Sequence, residues 1–337
     1  MNRVKEQCIK LLVYAKKPQW KPDNKLRVAI AVNQYFTTKQ WSGVFADCLG
    51  MEINNWDVVF CHNKFDVYRH VPHADVCFIF GLGDFLLKQI NTPKMVYFPL
   101  LGLDFLKGRT LPKNLIIEQP PPYSVQSIAE YCVAMSITLT RNLQKSFENQ
   151  FVKRWKQNNI IPQSLVSITR CKIGVLGLGR VGKVIAENFK NIGCEVIGCD
   201  KITPPNDNVL SAFYPSDKLS EFIEDIDILI IALPLDKSTK KIIDSKVLQT
   251  LGKDKSLINV SRGEIIDEQA LIHALSTNMI KGAALDVFER EPLPRNSALY
   301  RCKNVIITPH IAGNINLFVN EIQQDFISKA LAYSKNV

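Results

Sequence analysis

Three segments in the C-terminal half of the chain each place polar residues directly after a run of apolar residues. They are residues 259–263 (NVSRG), 285–292 (LDVFEREP) and 308–310 (TPH). The apolar runs are typical of strands buried on both faces, and ligands of open α/β sheets bind beyond the ends of such strands. The segments supply an arginine, carboxylates and a histidine, which are residue types of acid–base chemistry. They predict a ligand site at one edge of a sheet.

A glycine-rich segment precedes them. Residues 177–182 (GLGRVG) follow the apolar run KIGVL and open the amphipathic stretch RVGKVIAENFKNIG, and Asp200 ends the next apolar run 23 residues after Gly177. In this context the pattern predicts a dinucleotide-binding strand–turn–helix unit. Gly177 permits the tight turn, Gly179 lets the backbone approach a pyrophosphate, and Gly182 lets helix and strand pack closely.

Asp200 sets the expected cofactor. Its carboxylate would accept hydrogen bonds from the adenosine ribose hydroxyls and would repel a 2′-phosphate, so we expect NAD rather than NADP. The alternative is a glycine-rich turn that binds no ligand. Gly81 and Gly83 form a similar pair, but position 86 is leucine and not a third glycine. We interpret that pair as an ordinary turn.

Two series of short apolar runs, separated by amphipathic stretches, make up most of the chain. The first begins at Lys25 and the second at Cys171. This alternation predicts an α/β fold with two doubly wound parallel-sheet domains. Residues 125–143 follow three prolines and have helical periodicity, so we expect a helix that joins the domains. A second helix is expected after Gly313, too late in the chain for the second sheet.

Composition excludes several classes of protein. The 337 residues are 46% hydrophobic and 22% charged, and the net charge is +10. No apolar run approaches the ~20 residues that cross a bilayer, so we expect no membrane span. The nine cysteines are odd in number and lack zinc or redox spacing, so we expect reduced thiols, no bound metal and a cytoplasmic protein. Basic residues are scattered rather than interleaved with aromatic residues, so we expect no nucleic-acid partner.

Taken together, the glycine segment and the three polar segments closely resemble the D-isomer-specific 2-hydroxyacid dehydrogenases. This family includes phosphoglycerate dehydrogenase, glyoxylate/hydroxypyruvate reductase and D-lactate dehydrogenase. The resemblance is dense from Cys171 to Gly313, where KGAALDVFEREPLP and NVIITPHIAG look most like the glyoxylate/hydroxypyruvate reductases. It is thinner in the N-terminal part, where it depends on residues 101–104 and on the Ala129-Glu130 helix.

The resemblance implies a domain organisation. Residues 1–127 with 313–337 would form a discontinuous, flavodoxin-like substrate domain. Residues 128–312 would form a Rossmann NAD-binding domain with the joining helix at its start. The first 24 residues precede the first clear strand and predict nothing.

The family's catalytic set falls on Arg262, Glu291 and His310. By this resemblance Arg262 grips the substrate carboxylate and polarises the carbonyl with a planar fork that lysine lacks. His310 delivers a proton to the forming alkoxide, and the carboxylate beside it stabilises the imidazolium. Glu289 competes with Glu291 for the last role, but the family's carboxylate precedes the proline, which favours Glu291.

The resemblance also implies cofactor contacts outside the glycines. Asp286 would bind the nicotinamide carboxamide. Leu233 departs from the threonine often found at its position and offers only backbone groups. The remaining predicted contacts lie at the pyrophosphate (Arg180, Val181) and along the adenosine and nicotinamide ribose region (Leu233, Pro234, Val260, Ser261).

The substrate loop shows a larger departure. Many relatives have a small, glycine-containing loop whose N–H groups bind the substrate carboxylate, whereas this chain has Leu100, Leu101 and Gly102. Leucines that face the pocket would favour a small or apolar 2-oxoacid, and the segment lacks cationic partners for a phosphate. We therefore expect glyoxylate, hydroxypyruvate or an apolar 2-oxoacid to be reduced more efficiently than phosphohydroxypyruvate. The alternative is that both leucines pack in the core and other loops set specificity.

The first functional hypothesis is an NAD-dependent reductase of 2-oxoacids that acts as a homodimer, as relatives commonly do. A second is a non-catalytic, NAD-sensing protein that resembles the corepressors of this fold, which can retain the catalytic residues. Oxidation of formate or phosphite is a weaker third. The sequence leaves open which 2-hydroxyacid is used.

Overall fold

The computed structural model describes residues 25–34, 36–48, 51–90, 94–100, 102–106, 108–156, 165–203, 208–313 and 318–335. The chain divides into two compact units, one formed by Met1–Tyr123 with Ile315–Val337 and the other by Ser124–Asn314. The first 24 residues and Leu101, both named above, lie outside the described residues. The first unit is therefore built from two separate stretches of the chain.

A parallel sheet forms the centre of the first unit. Its strands are β1 (Leu26–Ala31), β2 (Trp56–Cys61), β3 (Val76–Phe78), β4 (Lys94–Tyr97) and β5 (Leu115–Glu118). Their order is β2-β1-β3-β4-β5. Because β2 pairs with one side of β1 and β3 with the other, the direction of winding reverses between β1 and β3. This order is that of flavodoxin-like sheets, as expected.

Both faces of this sheet are buried. The helices of the unit are α1 (Thr38–Asp47), α2 (Lys64–His70), α3 (Asp84–Leu87) and the C-terminal helix (Val319–Ser334). Alternate residues of β1 enter different cores: Val28 and Ile30 face the C-terminal helix and α1, and Ala29 packs on the opposite side. Trp41 and Phe326 are fully buried and meet edge to face at 5.4 Å. Such burial of aromatic surface fixes the two helices on one face.

The second unit has a longer parallel sheet. Its strands are β6 (Lys172–Leu176), β7 (Glu195–Asp200), β8 (Ala212–Pro215), β9 (Ile228–Ile231), β10 (Ser256–Asn259), β11 (Gly282–Leu285) and β12 (Val305–Ile307). Their order is β12-β11-β10-β9-β6-β7-β8. The chain winds outward from β6 in one direction and then in the other, which is the Rossmann arrangement. Because the strands are parallel, the carboxyl ends of β6, β9, β10, β11 and β12 lie along one edge of the sheet.

The second unit has six helices among the described residues. They are α4 (Val125–Thr140), α5 (Leu143–Phe151), α6 (Arg180–Asn191), α7 (Leu219–Glu224), α8 (Ser245–Leu251) and α9 (Glu268–Ser276). Helix α6 buries Ile185, Ala186 and Phe189 on one face, as its helical periodicity requires. Short 3₁₀ turns occur at Glu52–Asn55, Val71–His73, Asp104–Leu106, Ile168–Arg170, Ser216–Lys218, Gly263–Ile265 and Ala298–Arg301.

The predicted α/β class with two parallel sheets is confirmed. Strands β5 and β8 were not among the predicted runs. Each lies at the edge of its sheet and contains no buried residue. Cys194 lies one residue before β7 and Cys199 lies within it, and both are buried. Among the described residues no helix is long and apolar enough to cross a membrane.

Candidate active site

The glycine segment forms the turn between β6 and α6. Gly177 has φ of +97°, and a Cβ there would lie 2.9 Å from the Ala232 backbone. A Cβ on Gly182 would lie 1.8 Å from the Gly177 carbonyl oxygen, whereas one on Gly179 would meet nothing within 4 Å. Gly177 and Gly182 are therefore required by the protein's own packing, and Gly179 leaves open space at the start of α6. Space and free N–H groups at a helix N-terminus suit a pyrophosphate.

Asp200 lies at the end of β7 beside this turn. Its Oδ2 accepts a hydrogen bond from the Leu178 N–H at 2.5 Å, and its Oδ1 accepts from the Lys201 N–H at 2.6 Å. These bonds, and a third from the Ile202 N–H to Oδ1 at 3.3 Å, hold the carboxylate next to the glycine turn and leave one of its four lone-pair positions for a ribose hydroxyl. Lys201 donates to Ser238 Oγ at 2.7 Å, so its ammonium is held at the neighbouring loop.

The residues predicted along the ribose region follow β9 and β10. Leu233 is partly buried, Pro234 is exposed, and Ser261 is buried. Arg180, predicted at the pyrophosphate, is exposed at the start of α6. Asn259, which is fully buried at the end of β10, accepts from the Ser261 N–H at 3.1 Å and from Ser261 Oγ at 2.7 Å. Val260 and Val181 are both partly buried.

Asn259 also shapes the loop that carries Arg262. Its Nδ2 donates to the Arg262 carbonyl at 3.0 Å, and Arg262 Nη1 donates to the Ser261 carbonyl at 2.6 Å. A Cβ on the next residue, Gly263, would lie 1.9 Å from the Phe288 carbonyl carbon. Only glycine permits this approach, which sets the Arg262 loop against the backbone that leads to Glu291.

Glu291 and His310 form the closest pair of titratable groups in the site. Glu291 Oε2 lies 2.7 Å from His310 Nδ1, and Glu291 Oε1 accepts from the Phe288 N–H at 3.1 Å. His310 is a non-glycine residue with φ of 55°. Glu289 points elsewhere, since its Oε1 lies 3.6 Å from Lys241 Nζ. The structure therefore brings Glu291, and not Glu289, to the histidine.

Asp286 holds the loop that carries His310. It is buried, and its carboxylate accepts from the Ile311 N–H at 2.9 Å, the Ala312 N–H at 2.9 Å and Thr308 Oγ1 at 2.6 Å. Three of its four lone-pair positions are used by the protein. Asp286 therefore has a positioning role in addition to the predicted carboxamide contact.

Sequence reasoning missed Tyr131. Its hydroxyl lies 2.7 Å from Thr308 Oγ1, and because the Thr308 proton goes to Asp286, Tyr131 is the donor. Burial is the main cause that raises the pKa of Tyr131 above its usual range, so the hydroxyl stays protonated. The contact joins residues 177 positions apart. No spacing in the sequence could have indicated it.

The substrate loop belongs to the first unit. Leu100 is partly buried, and its carbonyl accepts from Gln119 Nε2 at 2.6 Å. Gly102 is also partly buried, and Leu101 lies outside the described residues. No group of three or more potential metal ligands occurs within the described ranges.

Comparison with known proteins identifies the family. Residues 133–312 match the model of the D-isomer-specific 2-hydroxyacid dehydrogenase NAD-binding domain. The chain belongs to the D-isomer-specific 2-hydroxyacid dehydrogenase family. Membership in this family of 2-hydroxyacid dehydrogenases makes the chain an oxidoreductase of 2-hydroxyacids with a nicotinamide cofactor, which confirms the predicted class.

Individual 2-hydroxyacid dehydrogenases agree with this assignment. Glyoxylate/hydroxypyruvate reductase A HPR2 of Arabidopsis thaliana is 30% identical over 256 residues, which cover 73% of this chain and 79% of that protein. A family member from Xanthobacter autotrophicus Py2, solved with NADPH and MES, is 23% identical with a TM-score of 0.74 and covers 91% of this chain and 96% of its own. A member from Lactobacillus delbrueckii ssp. bulgaricus, solved with NAD, is 22% identical with a TM-score of 0.71 and covers 92% and 97%. The two structures show the shared fold. The named relatives are enzymes, which does not favour the non-catalytic alternative.

Proposed function

We propose that this chain reduces a 2-oxoacid to the D-2-hydroxyacid with NADH, using His310, Glu291 and Arg262. The observation that carries the proposal is the 2.7 Å contact between Glu291 Oε2 and His310 Nδ1. It leaves His310 Nε2 as the ring atom able to give a proton to substrate. The three residues lie on the loops that follow β10, β11 and β12, at one edge of the Rossmann sheet.

The second unit fits a nicotinamide dinucleotide. Gly179 leaves room at the start of α6, and helix N–H groups there suit a pyrophosphate with Arg180 and Val181 beside it. When bound, the reduced cofactor supplies a hydride to the substrate carbonyl carbon. Leu233, Pro234, Val260 and Ser261 would flank the two riboses. Asp286 would use its remaining lone pair for the carboxamide.

The catalytic residues perform complementary tasks. Arg262 binds the substrate carboxylate with its planar guanidinium and draws electron density from the carbonyl. His310 Nε2 gives its proton to the forming alkoxide oxygen. Glu291 lies at Nδ1 of the same ring. There it holds the ring in one orientation and stabilises the imidazolium that exists before the proton is given. In the reverse direction Nε2 accepts the hydroxyl proton.

Asp200 supports NAD as the preferred cofactor. Its carboxylate is fixed beside the glycine turn, where it would meet a 2′-phosphate with like charge. For the substrate, Leu100 and Leu101 favour a small or apolar 2-oxoacid, with backbone N–H groups of Leu100, Leu101 and Gly102 as donors. We place phosphohydroxypyruvate lowest, because this loop lacks cations.

Assays of NADH oxidation with a panel of 2-oxoacids test these proposals. NADH consumption would be followed with glyoxylate, hydroxypyruvate, pyruvate, branched 2-oxoacids and phosphohydroxypyruvate, and repeated with NADPH. We expect turnover with at least one of the first four and a higher kcat/KM with NADH. A phosphohydroxypyruvate kcat/KM about tenfold above the others would overturn the substrate proposal, and a preference for NADPH would overturn the role of Asp200.

We further propose a cytoplasmic homodimer. All eight cysteines among the described residues are free thiols, as in reducing compartments. Helix α5 has no buried residue, and Phe151 and Trp155 at and beyond its end are 90% and 92% exposed. Exposed aromatic residues in a cluster are typical of an interface.

A further inference from the structure

The substrate loop of the first unit is held by a glutamine that was not among the predicted site residues. Gln119 directly follows β5, and its Nε2 donates to the Leu100 carbonyl at 2.6 Å. Both residues are partly buried, and Leu100 lies three residues after β4, the strand that pairs with β5. The bond therefore ties the end of one strand to the loop that follows its neighbour.

The backbone that carries Gln119 is fixed by the C-terminal helix. Lys329 lies on this helix, and its ammonium group donates to the Gln119 carbonyl and lies 3.2 Å from Glu118 Oε2. The Phe98 N–H donates to the Glu118 carbonyl at 2.9 Å, which continues the pairing of β4 with β5 up to the loop. Lys329 and the sheet together hold Glu118 and Gln119 in place.

Lys329 is in turn positioned by a carboxylate and an aromatic ring. Asp325, one turn earlier on the helix, lies 3.1 Å from Lys329 Nζ and accepts from the Tyr97 hydroxyl at 2.7 Å. Tyr97 is fully buried in β4, and the ammonium lies 5.4 Å from the centre of its ring. Burial is the main cause that raises the pKa of Tyr97 above its usual range, so its hydroxyl stays protonated and remains a donor. A network of polar groups thus runs from the C-terminal helix to Gln119.

The Gln119 bond constrains the direction of the hydrogen-bonding groups in the loop. A peptide unit is planar, so a carbonyl that is held in one direction directs the N–H of the same unit in the opposite direction. Under the proposed function, N–H groups of this loop bind the substrate carboxylate. If the Leu100 carbonyl lost its partner, the loop would lose this constraint on its donors.

We propose that Gln119 is a positioning residue for the substrate, which holds the loop at Leu100 in the orientation that binds the carboxylate of the 2-oxoacid. This role rests on the proposed function, because that function gives the loop a carboxylate to bind. Gln119 acts through the Leu100 carbonyl and not on the substrate itself, and Lys329 keeps it in place from the C-terminal helix. Such a residue raises affinity because the loop is already ordered when the substrate arrives.

Steady-state kinetics of NADH oxidation test the role in the reaction. Gln119→Met keeps the length of the side chain but removes the donor, so the KM for the 2-oxoacid should rise roughly tenfold, the value of about one hydrogen bond. The kcat and the KM for NADH should be nearly unchanged, because the lost contact is made equally in the ground and transition states. Gln89→Met is the matched control, at a partly buried glutamine of the same unit two residues after α3, and it should behave as the native protein does.

Hydrogen exchange measures the loop itself. Mass spectrometry of peptides that span residues 98–106 should show faster amide exchange in Gln119→Met than in the native protein or Gln89→Met, because the loop opens locally more often. Gln119→Glu covers a failure of Gln119→Met to fold. Its side chain has the same shape, but an ionised carboxylate cannot donate to the Leu100 carbonyl, so the same changes in KM and in exchange are expected.

The two measurements separate this proposal from the proposed function. A native protein that reduces no 2-oxoacid would contradict the proposed function, and exchange would then decide whether Gln119 holds the loop. Faster exchange in both Gln119 variants supports that role, and exchange at the native rate overturns it. In an active protein, an unchanged KM for the 2-oxoacid in both Gln119 variants, or an equal rise in Gln89→Met, would overturn the role in substrate binding.

Discussion

His310 is held by contacts on both its side chain and its backbone. Glu291 meets Nδ1 at 2.7 Å, and the loop on either side is bonded to Asp286 through Thr308, Ile311 and Ala312. A left-handed φ at a non-glycine residue costs about 1–3 kcal/mol, which the surrounding bonds must offset. At the residue scale, this arrangement points to a ring whose orientation is fixed before substrate binds.

Substitutions at three residues test the acid–base pair. His310→Ala should lower kcat by about 10²–10⁴-fold with little change in NADH affinity, because a general acid is lost. Glu291→Gln should shift the pH profile of kcat, since the imidazolium loses its counter-charge. Glu289→Gln is the control and should be near neutral. Severe loss at Glu289 with none at Glu291 would contradict the assignment.

Tyr131 is expected to position the loop that carries His310 through its hydrogen bond to Thr308, without contacting the substrate. Tyr131→Phe removes the donor to Thr308 and should lower kcat about tenfold, a cost of about one hydrogen bond, with KM for NADH nearly unchanged. Steady-state kinetics and a pH profile measure this. Tyr300→Phe, an exposed tyrosine of the same unit, is the matched control. Equal behaviour of the two variants would remove Tyr131 from the positioning network.

At the scale of elements, two glycines of the turn between β6 and α6 are expected to have different roles: Gly182 in packing and Gly179 in ligand binding. Gly182→Ala places a Cβ 1.8 Å from the Gly177 oxygen and should lower stability by about 1–3 kcal/mol or more. Gly179→Ala meets nothing within 4 Å and should change stability by less than about 1 kcal/mol, yet it should weaken NADH binding because the methyl enters the pyrophosphate space. Thermal unfolding and NADH fluorescence titration distinguish the two. Gly179→Ala with native affinity would contradict the assignment of that space.

The hydrogen bonds of the turn after β9 predict how the stability of the protein changes at low pH. Hydrogen bonds from Ser238 are the main cause that lowers the pKa of Asp236 to about 2. A depressed carboxylate pKa stabilises the fold above the unfolded-state value near 4 and loses this contribution as the pH falls toward 2. Asp236→Asn should therefore lower Tm near neutral pH, and the difference from the native protein should vanish near pH 2. A difference that is constant with pH would exclude the ionised carboxylate as its cause.

At the scale of the whole molecule, the cluster of exposed aromatic residues at and just beyond the end of α5, Phe151 and Trp155, predicts a homodimer. Trp155→Glu should convert the proposed dimer to a monomer, because a charge would be buried against an apolar partner surface. Light scattering after size exclusion measures the mass. Tyr300→Glu, an exposed aromatic position outside this cluster, should leave the mass unchanged. A monomeric native protein, or a dimer that survives Trp155→Glu, would contradict the proposed interface.

The sequence by itself determined the features that are local in the chain. Strand runs, the glycine turn and the Asp200 position follow from hydrophobic periodicity and backbone sterics over a few residues. Strands β5 and β8, which lie at sheet edges and contain no buried residue, were not predicted.

Only the tertiary structure decided which side chains meet. The resemblance to the family favours Glu291 over Glu289, but the 2.7 Å contact between Glu291 Oε2 and His310 Nδ1 exists only because the fold brings the loops after β11 and β12 together. The Tyr131–Thr308 bond joins segments that lie 177 positions apart in sequence. Such contacts depend on how strands are ordered in a sheet, and strand order is set by packing of the whole unit, which local patterns do not encode.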